Sequence, residues 1–200
     1  PRTVEGLFGR TPLRATIDAA RTVSRAIRTA SFPSEIQSLN LEWNIVFMDE
    51  KMPEQQIPQN LISNCHPGWM TPPSNIYIVA QRVAAGCGGR SSSTSVADAQ
   101  LTEVLVHEMA HALEFQLLAK GQRFDRLRAE GFATWFETYA ASYSSILSAK
   151  DLVHRTSKLA SASIKESPDV FLFDGSAYSY SRAAMYFKAV ENKLGIRGIV

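Results

Sequence analysis

The chain has 200 residues, of which 45% are hydrophobic and 20% are charged, and its net charge is +2. This composition is ordinary for a soluble globular protein and provides enough chain for one domain with a real core. So small a net charge argues against nucleic acid or an anionic membrane as a partner, and no apolar run is long enough for a membrane span.

The first half of the chain predicts one helix and two strands. Thr11 and Pro12 are typical of a helix start, and helical spacing of apolar residues continues to about Ala30. The expected buried stripe is Leu13, Ile17, Ala20, Val23 and Ile27. Residues 41–48 (LEWNIVFM) and 75–83 (NIYIVAQRV) predict strands, with a proline-rich irregular loop over 51–73 between them.

The second half of the chain predicts four helices. The first follows Ser95 and ends near Gly121, and the second covers about 126–147. The third covers Asp151 to about Lys165, and the fourth runs from Tyr178 or Tyr180 to Leu194. Asp125 is placed to cap the second of these helices, and Gly195 ends the last. Two strands followed by several helices indicate an α+β fold.

The first of these four helices carries the sequence Val-His-Glu-Met-Ala-His at positions 106–111, an H-E-x-x-H motif. Residues i and i+4 lie on one face of a helix, so His107 and His111 present two imidazoles that can share a metal ion. Glu108 lies beside them, placed to contact a water on that metal. The helix is apolar nearly all round, and a metal supplies the partner that buried polar side chains need. The alternative is that both histidines are satisfied core residues.

Two cysteines flank the second predicted strand. A disulfide between Cys65 and Cys87 would close a loop of about twenty residues. It would indicate an oxidising compartment, so we expect a secreted or periplasmic protein. Two unrelated thiols are the alternative. Cys65 and His66 lack a matching pair of ligands elsewhere in the chain, which argues against a metal site there.

The motif and the residues after it resemble the gluzincin zinc metallopeptidases, in particular the aminopeptidase N-like family. H-E-x-x-H is followed, after eighteen intervening residues, by E-G-F-A at 130–133. The resemblance implies that Glu130 is the third zinc ligand beside His107 and His111, with one Zn²⁺ per chain. Glu137 also matches the family pattern. It lies two helical turns after Glu130, where it suits an acceptor that fixes a ligand imidazole.

The last predicted helix provides a further match to this family. It resembles a family helix that begins with the catalytic tyrosine and ends at a glycine fifteen residues later, here Tyr180 and Gly195. The resemblance implies that Tyr180 donates a hydrogen bond to the oxyanion of the tetrahedral intermediate. Tyr178 is the neighbour most easily confused with it, and an ordinary tyrosine at a helix start is the alternative.

The resemblance implies a zinc-dependent metallopeptidase that uses a zinc-activated water, with Glu108 as general base and then acid. We expect a single zincin-like α+β domain over 1–200, in which 1–95 forms the sheet side and 96–200 carries the zinc site. The substrate would be a peptide or protein in an extended conformation. Asn75–Val83 is the candidate edge strand that would pair with it.

Two departures from the family leave other functions open. The chain lacks a G-A-M-E-N motif, so aminopeptidase specificity is not carried over, and its first half does not resemble the family. A zinc-binding interaction module without turnover and a zinc hydrolase of a non-peptide amide or ester are the alternatives. Serine hydrolysis is disfavoured, since no G-x-S-x-G motif is present and Ser91–Ser93 lie in a Gly/Ser linker.

Overall fold

A computed structural model describes Phe8 and residues 12–29, 31–48, 66–85, 94–118, 125–166 and 174–199. In chain order the elements are α1 (Pro12–Ile27), α2 (Ser34–Gln37), β1 (Asn44–Met48), β2 (Gly68–Thr71), β3 (Asn75–Val79), α3 (Ala80–Ala85), α4 (Thr94–Leu117), α5 (Arg126–Ala140), α6 (Ala149–Glu166) and α7 (Ala177–Leu194). Short 3₁₀ helices lie at Ala141–Tyr143 and Ile196–Gly198. The predicted α+β class is confirmed. No helix in these described ranges is both long and apolar enough to cross a membrane.

The three strands form one sheet in the order β1-β3-β2. The central strand β3 pairs parallel with β1 and antiparallel with β2, with Trp69 opposite Tyr77. The prediction that the strand beginning at Asn75 is an edge strand is therefore wrong. Within the described residues the edges are β1 and β2. The four-residue strand β2 has prolines at positions 67 and 72 on either side, which is why its sequence is typical of a loop.

The second predicted strand is shorter than expected. It ends at Val79, and the chain turns directly into α3, where Ala80 and Val83 are buried. The segment Ala-Gln-Arg-Val-Ala-Ala favours a helix over a strand, because alanine, glutamine and arginine have high helix propensity. Within β3, Ile76 and Ile78 are fully buried and Tyr77 between them is partly exposed, while Val79 at the end of the strand is also buried.

Helix α1 forms where it was predicted, and Val23 and Ile27 of its expected stripe are buried, but the buried face differs in its first half. Its buried residues are Ala15, Ala19, Thr22, Val23, Ala26 and Ile27. Leu13 and Ile17 were expected in the core and are instead 68% and 37% exposed. Three of the six buried residues are alanines, which allow α1 to pack closely against α4. Where two helices approach closely, small side chains can thus occupy the interface while larger apolar side chains stay exposed.

Helix α4 lies in the core and packs against α1, α3, α5 and β2. Leu101, Leu105, Val106, Met109 and Leu113 on this helix are fully buried. The site residues on α4 therefore emerge from a rigid, well-packed element.

Helix α5 packs very closely against α7. An ideal Cβ added at Gly131 would lie 2.8 Å from the Cβ of Ala183, so only glycine fits there. The predicted cap of α5 is confirmed, because the Asp125 carboxylate accepts a hydrogen bond of 2.9 Å from the Arg128 amide. Gly195 ends α7 with a φ of +70°, as predicted for a helix C-terminus. These contacts hold the start of α7 beside the second turn of α5.

Candidate metal centre

Three predicted ligands come together between α4 and α5. The imidazole rings of His107 and His111 have centroids 4.9 Å apart and are nearly perpendicular, at 83°. Glu130 lies in the second turn of α5, and its Oε2 is 3.3 Å from the Nε2 atom of each histidine. The H-E-x-x-H spacing places the two imidazoles on one face of α4, and the packing of α5 against α4 adds the carboxylate.

The spacing of these atoms fits a divalent metal ion. One ligand atom from each of the three residues lies within 4.8 Å of the other two. Ligand atoms about 2.0–2.1 Å from a tetrahedral ion are about 3.3–3.4 Å apart, which matches both separations from Glu130. Two imidazoles and one carboxylate form a donor set that zinc accepts, and the set leaves a fourth position open.

Glu137 lies behind His107, where a residue that orients the imidazole is needed. Its Oε2 is 3.2 Å from His107 Nδ1, and the side chain is buried. When Nδ1–H donates to this carboxylate, the Nε2 lone pair is directed toward Glu130. The placement agrees with the expectation from the sequence, because Glu130 and Glu137 lie on one face of α5.

Two residues that the sequence did not reveal extend this contact. Arg155 on α6 places its Nη2 3.5 Å from the second oxygen of Glu137 and also pairs with Glu103 on α4. Glu103 lies one turn before His107. A run of charged contacts therefore leads from Glu103 through Arg155 and Glu137 to His107. Arg155 is too far along the chain from the motif for any spacing rule to find it.

In the cluster of His107, His111 and Glu130, hydrogen bonds between the side chains shift the pKa values of Glu130 and His107 and favour their charged forms. Burial raises the pKa of Glu130, but hydrogen bonds from His107 and His111 hold that pKa well below its usual range. Burial lowers the pKa of His107, yet its hydrogen bonds to Glu130 and Glu137 raise it well above the ordinary value. Protons therefore compete with a metal ion for this site, so metal affinity should fall as the pH falls.

Glu108 lies next to the cluster and is buried, with 6% of its surface exposed. Burial raises the pKa of this carboxyl, while the charges of His111 and His107 act in the opposite direction. A carboxylate with a raised pKa accepts and returns a proton more readily near neutral pH. Burial beside the two histidines fits the role of general base and acid that the resemblance implies for Glu108.

Tyr180 lies at the cluster, as the sequence predicted. Its ring centroid is 6.2 Å from that of His107, and its hydroxyl has hydrogen bonds with Glu130 and Arg126. Burial raises the pKa of this phenol, and the charge of Glu130 raises it further. The hydroxyl therefore keeps its proton and can donate a hydrogen bond. Tyr178, its neighbour in the first turn of α7, is 40% exposed.

Cys65 and Cys87 lie outside the described residues, so the disulfide and the secreted or periplasmic location inferred from it stay predictions. Comparison of the chain with protein-family models, with curated proteins and with solved structures finds no match. The arrangement of the side chains in the cluster is therefore the basis for a proposed function.

Proposed function

We propose that this protein is a zinc-dependent metallopeptidase of the gluzincin type with a zincin-like fold. The observation that carries the proposal is the convergence of His107 Nε2 and His111 Nε2 on one oxygen of Glu130, each at 3.3 Å. Glu108 and Tyr180 lie beside this cluster, where they can serve as general base and as hydrogen-bond donor to an oxyanion.

Zinc held by His107, His111 and Glu130 would supply a Lewis acid that activates a water molecule and polarises the peptide carbonyl. Glu108 would accept a proton from the attacking water as the water oxygen bonds to the carbonyl carbon. The Tyr180 hydroxyl donates a hydrogen bond to the developing oxyanion. Glu108 then gives its proton to the departing nitrogen as the C–N bond breaks. The products are one new carboxylate and one new amine.

The edge strand β2 supports an extended peptide as the substrate. It runs antiparallel to β3, packs against α4, and directly follows a segment in which His66 interacts electrostatically with His107 and Glu130. An extended peptide can add to such an edge through its main-chain hydrogen bonds. In this proposal β2 takes the role that the sequence had suggested for the strand beginning at Asn75.

The test is the Glu108→Gln variant. We expect it to retain about one zinc per chain by elemental analysis and to lose about 10²–10⁴-fold in peptide cleavage. Cleavage is measured by mass spectrometry on a broad peptide library. Glu35→Gln, which removes an exposed carboxylate on α2, is the matched control and should behave as the wild type.

Three outcomes would contradict the proposal in different ways. Full activity in the Glu108→Gln variant would exclude this residue as the base. Bound zinc without cleavage of any peptide by the wild type would favour an interaction module. Cleavage of small amides or esters but not of peptides would favour a hydrolase of non-peptide substrates.

A further inference from the structure

A guanidinium group lies directly beside the metal-ligand cluster. Arg126 is the first residue of α5, and its Nε is 4.0 Å from the second carboxylate oxygen of Glu130. It also has a side-chain hydrogen bond with Tyr180. The Arg126 side chain is nevertheless 52% exposed. It is therefore held at the site by two site residues while about half of its surface faces solvent.

Further basic groups face the cluster from the side of the sheet. His66, just before β2, lies close enough to Glu130, His107 and Arg126 to interact electrostatically with all three. Arg82 on α3 donates from Nη1 to the backbone carbonyl of His66, at 3.3 Å. Burial lowers the pKa of His66 and so favours its neutral form, which leaves Arg126 on α5 and Arg82 on α3 as the cations near this side of the cluster.

Two carboxylates near Arg126 have hydrogen bonds of their own: Asp125 precedes it in the chain, and Asp174 precedes Gly175, where an added Cβ would lie 3.7 Å from Arg126 Nη2. Asp125 accepts from the backbone amide of Arg128, and Asp174 accepts from the backbone amide of Ser176. The charge of Glu130 would be offset by a bound metal ion. The region around Arg126 therefore favours an anionic group from outside the chain.

We propose that Arg126 binds a carboxylate of the substrate close to the bond that is cleaved. This inference rests on the proposed peptidase function. A guanidinium can hold a carboxylate through two parallel N–H···O hydrogen bonds, and a half-exposed side chain can offer such a pair to a ligand. The substrate class is thus a peptide with a negatively charged group beside the scissile bond.

The position of Arg126 limits where that carboxylate can be. Its Nε is 4.0 Å from an oxygen of Glu130, and one extended residue spans about 3.3–3.6 Å. The carboxylate therefore belongs to a residue within about two positions of the cleaved bond. It is either the C-terminus of the peptide or the side chain of an Asp or Glu, and the experiment separates these two sources.

The first measurement compares cleavage of matched peptide pools by the zinc-loaded protein. One pool contains acetylated random pentapeptides without Asp or Glu that end in a free carboxylate, and the second contains the same peptides as C-terminal amides. A third pool is amidated and carries one Glu at each position in turn. The variants are Arg126→Gln and, as a control with the same loss of charge, Arg25→Gln on the exposed face of α1.

We expect the wild type and Arg25→Gln to prefer one carboxylate-bearing pool over the plain amides by at least about tenfold. In Arg126→Gln this ratio should fall to about one. Preference for the free-acid pool identifies the C-terminus, and preference for the Glu pool identifies a side chain. Because the readout is a ratio within one protein, a general loss of activity in the variant does not imitate the result.

The second measurement does not depend on turnover. Zinc-loaded Glu108→Gln protein is immobilised, and retention of the three pools is quantified by mass spectrometry with and without Arg126→Gln. The same preference is expected, and retention independent of the carboxylate overturns the inference. If the wild type cleaves all three pools without preference, only the carboxylate site is rejected. If binding depends on the carboxylate but the wild type cleaves no peptide, only the peptidase function is rejected.

Discussion

Glu137 Oε2 lies 3.2 Å from His107 Nδ1, and the second oxygen of Glu137 lies 3.5 Å from Arg155. Glu137 thus connects a proposed metal ligand on α4 to a cation on α6. Because the His107 imidazole contacts Glu137, and Glu137 contacts Arg155 in turn, the orientation of the imidazole is set before any metal binds. Metal affinity should therefore depend on residues that never contact the ion.

Replacing Glu137 by Ala should weaken zinc binding by about 10–100-fold, because His107 loses the acceptor that fixes its tautomer and orientation. Arg155→Gln should weaken it by a smaller factor, since it acts through Glu137. Competition with a chromophoric chelator measures both affinities. Unchanged zinc affinity in Glu137→Ala would show that the 3.2 Å contact does not position the ligand.

Tyr180→Phe should lower kcat about 10²–10³-fold and leave zinc content unchanged, because it removes one hydrogen-bond donor to the oxyanion. Tyr178→Phe is the matched control. It makes the same chemical change two residues earlier, at a side chain that is 40% exposed, and should retain wild-type activity. A larger loss in the Tyr178 variant than in the Tyr180 variant would reverse the assignment.

Gly131→Ala should destabilise the protein by about 1–3 kcal/mol, because the new Cβ would lie 2.8 Å from Ala183 Cβ and force α5 and α7 apart. Activity should fall as well, since Glu130 and Tyr180 lie on these two helices. Urea unfolding and peptide cleavage measure the two effects.

Gly195→Ala provides a contrast to Gly131→Ala. An ideal Cβ at Gly195 meets no atom within 4 Å, but its φ of +70° and ψ of −177° lie in a region that is nearly exclusive to glycine and costs another residue about 1–3 kcal/mol. This variant should lose stability without losing zinc or activity. An equal loss of activity in both variants would indicate general destabilisation instead of a change at the site.

Glu114 should make stability depend on pH. It is 2% exposed, pairs with Arg128 at 3.3 Å through one oxygen, and has no hydrogen-bond partner for the other among the described residues. Burial raises the pKa of Glu114 to about 7, although the charge of Arg128 acts against this. In the unfolded chain the pKa of a glutamate is about 4.3.

A carboxyl with a raised pKa in the folded state binds more protons there than in the unfolded state between these two values. Its contribution to stability is therefore present below about pH 4.3 and is lost as the pH rises through about 7, by at most about 4 kcal/mol. Glu114→Gln should remove this dependence. Urea unfolding of the metal-free wild type and variant at about pH 5 and about pH 8 gives the comparison. A difference between the two proteins that does not change with pH would contradict it.

Local spacing in the sequence was enough to predict the parts of the site that share one helix. His107 and His111 lie on the same face of α4 wherever that helix packs, because their positions depend only on helical geometry. The same holds for Glu130 and Glu137 on α5. The caps at Asp125 and Gly195 were predictable for a similar reason, since each depends on hydrogen bonds or dihedral angles of its own turn.

The tertiary structure decided which separate segments meet. It made β2 an edge strand, buried the alanine face of α1 in place of Leu13 and Ile17, and brought Arg155 and Arg126 to the cluster. None of these follows from local periodicity, because each depends on contacts between segments that are distant in the sequence. The spacing within α4 and α5 thus determined the proposed metal chemistry, whereas packing between elements decided which further charged residues lie beside the cluster.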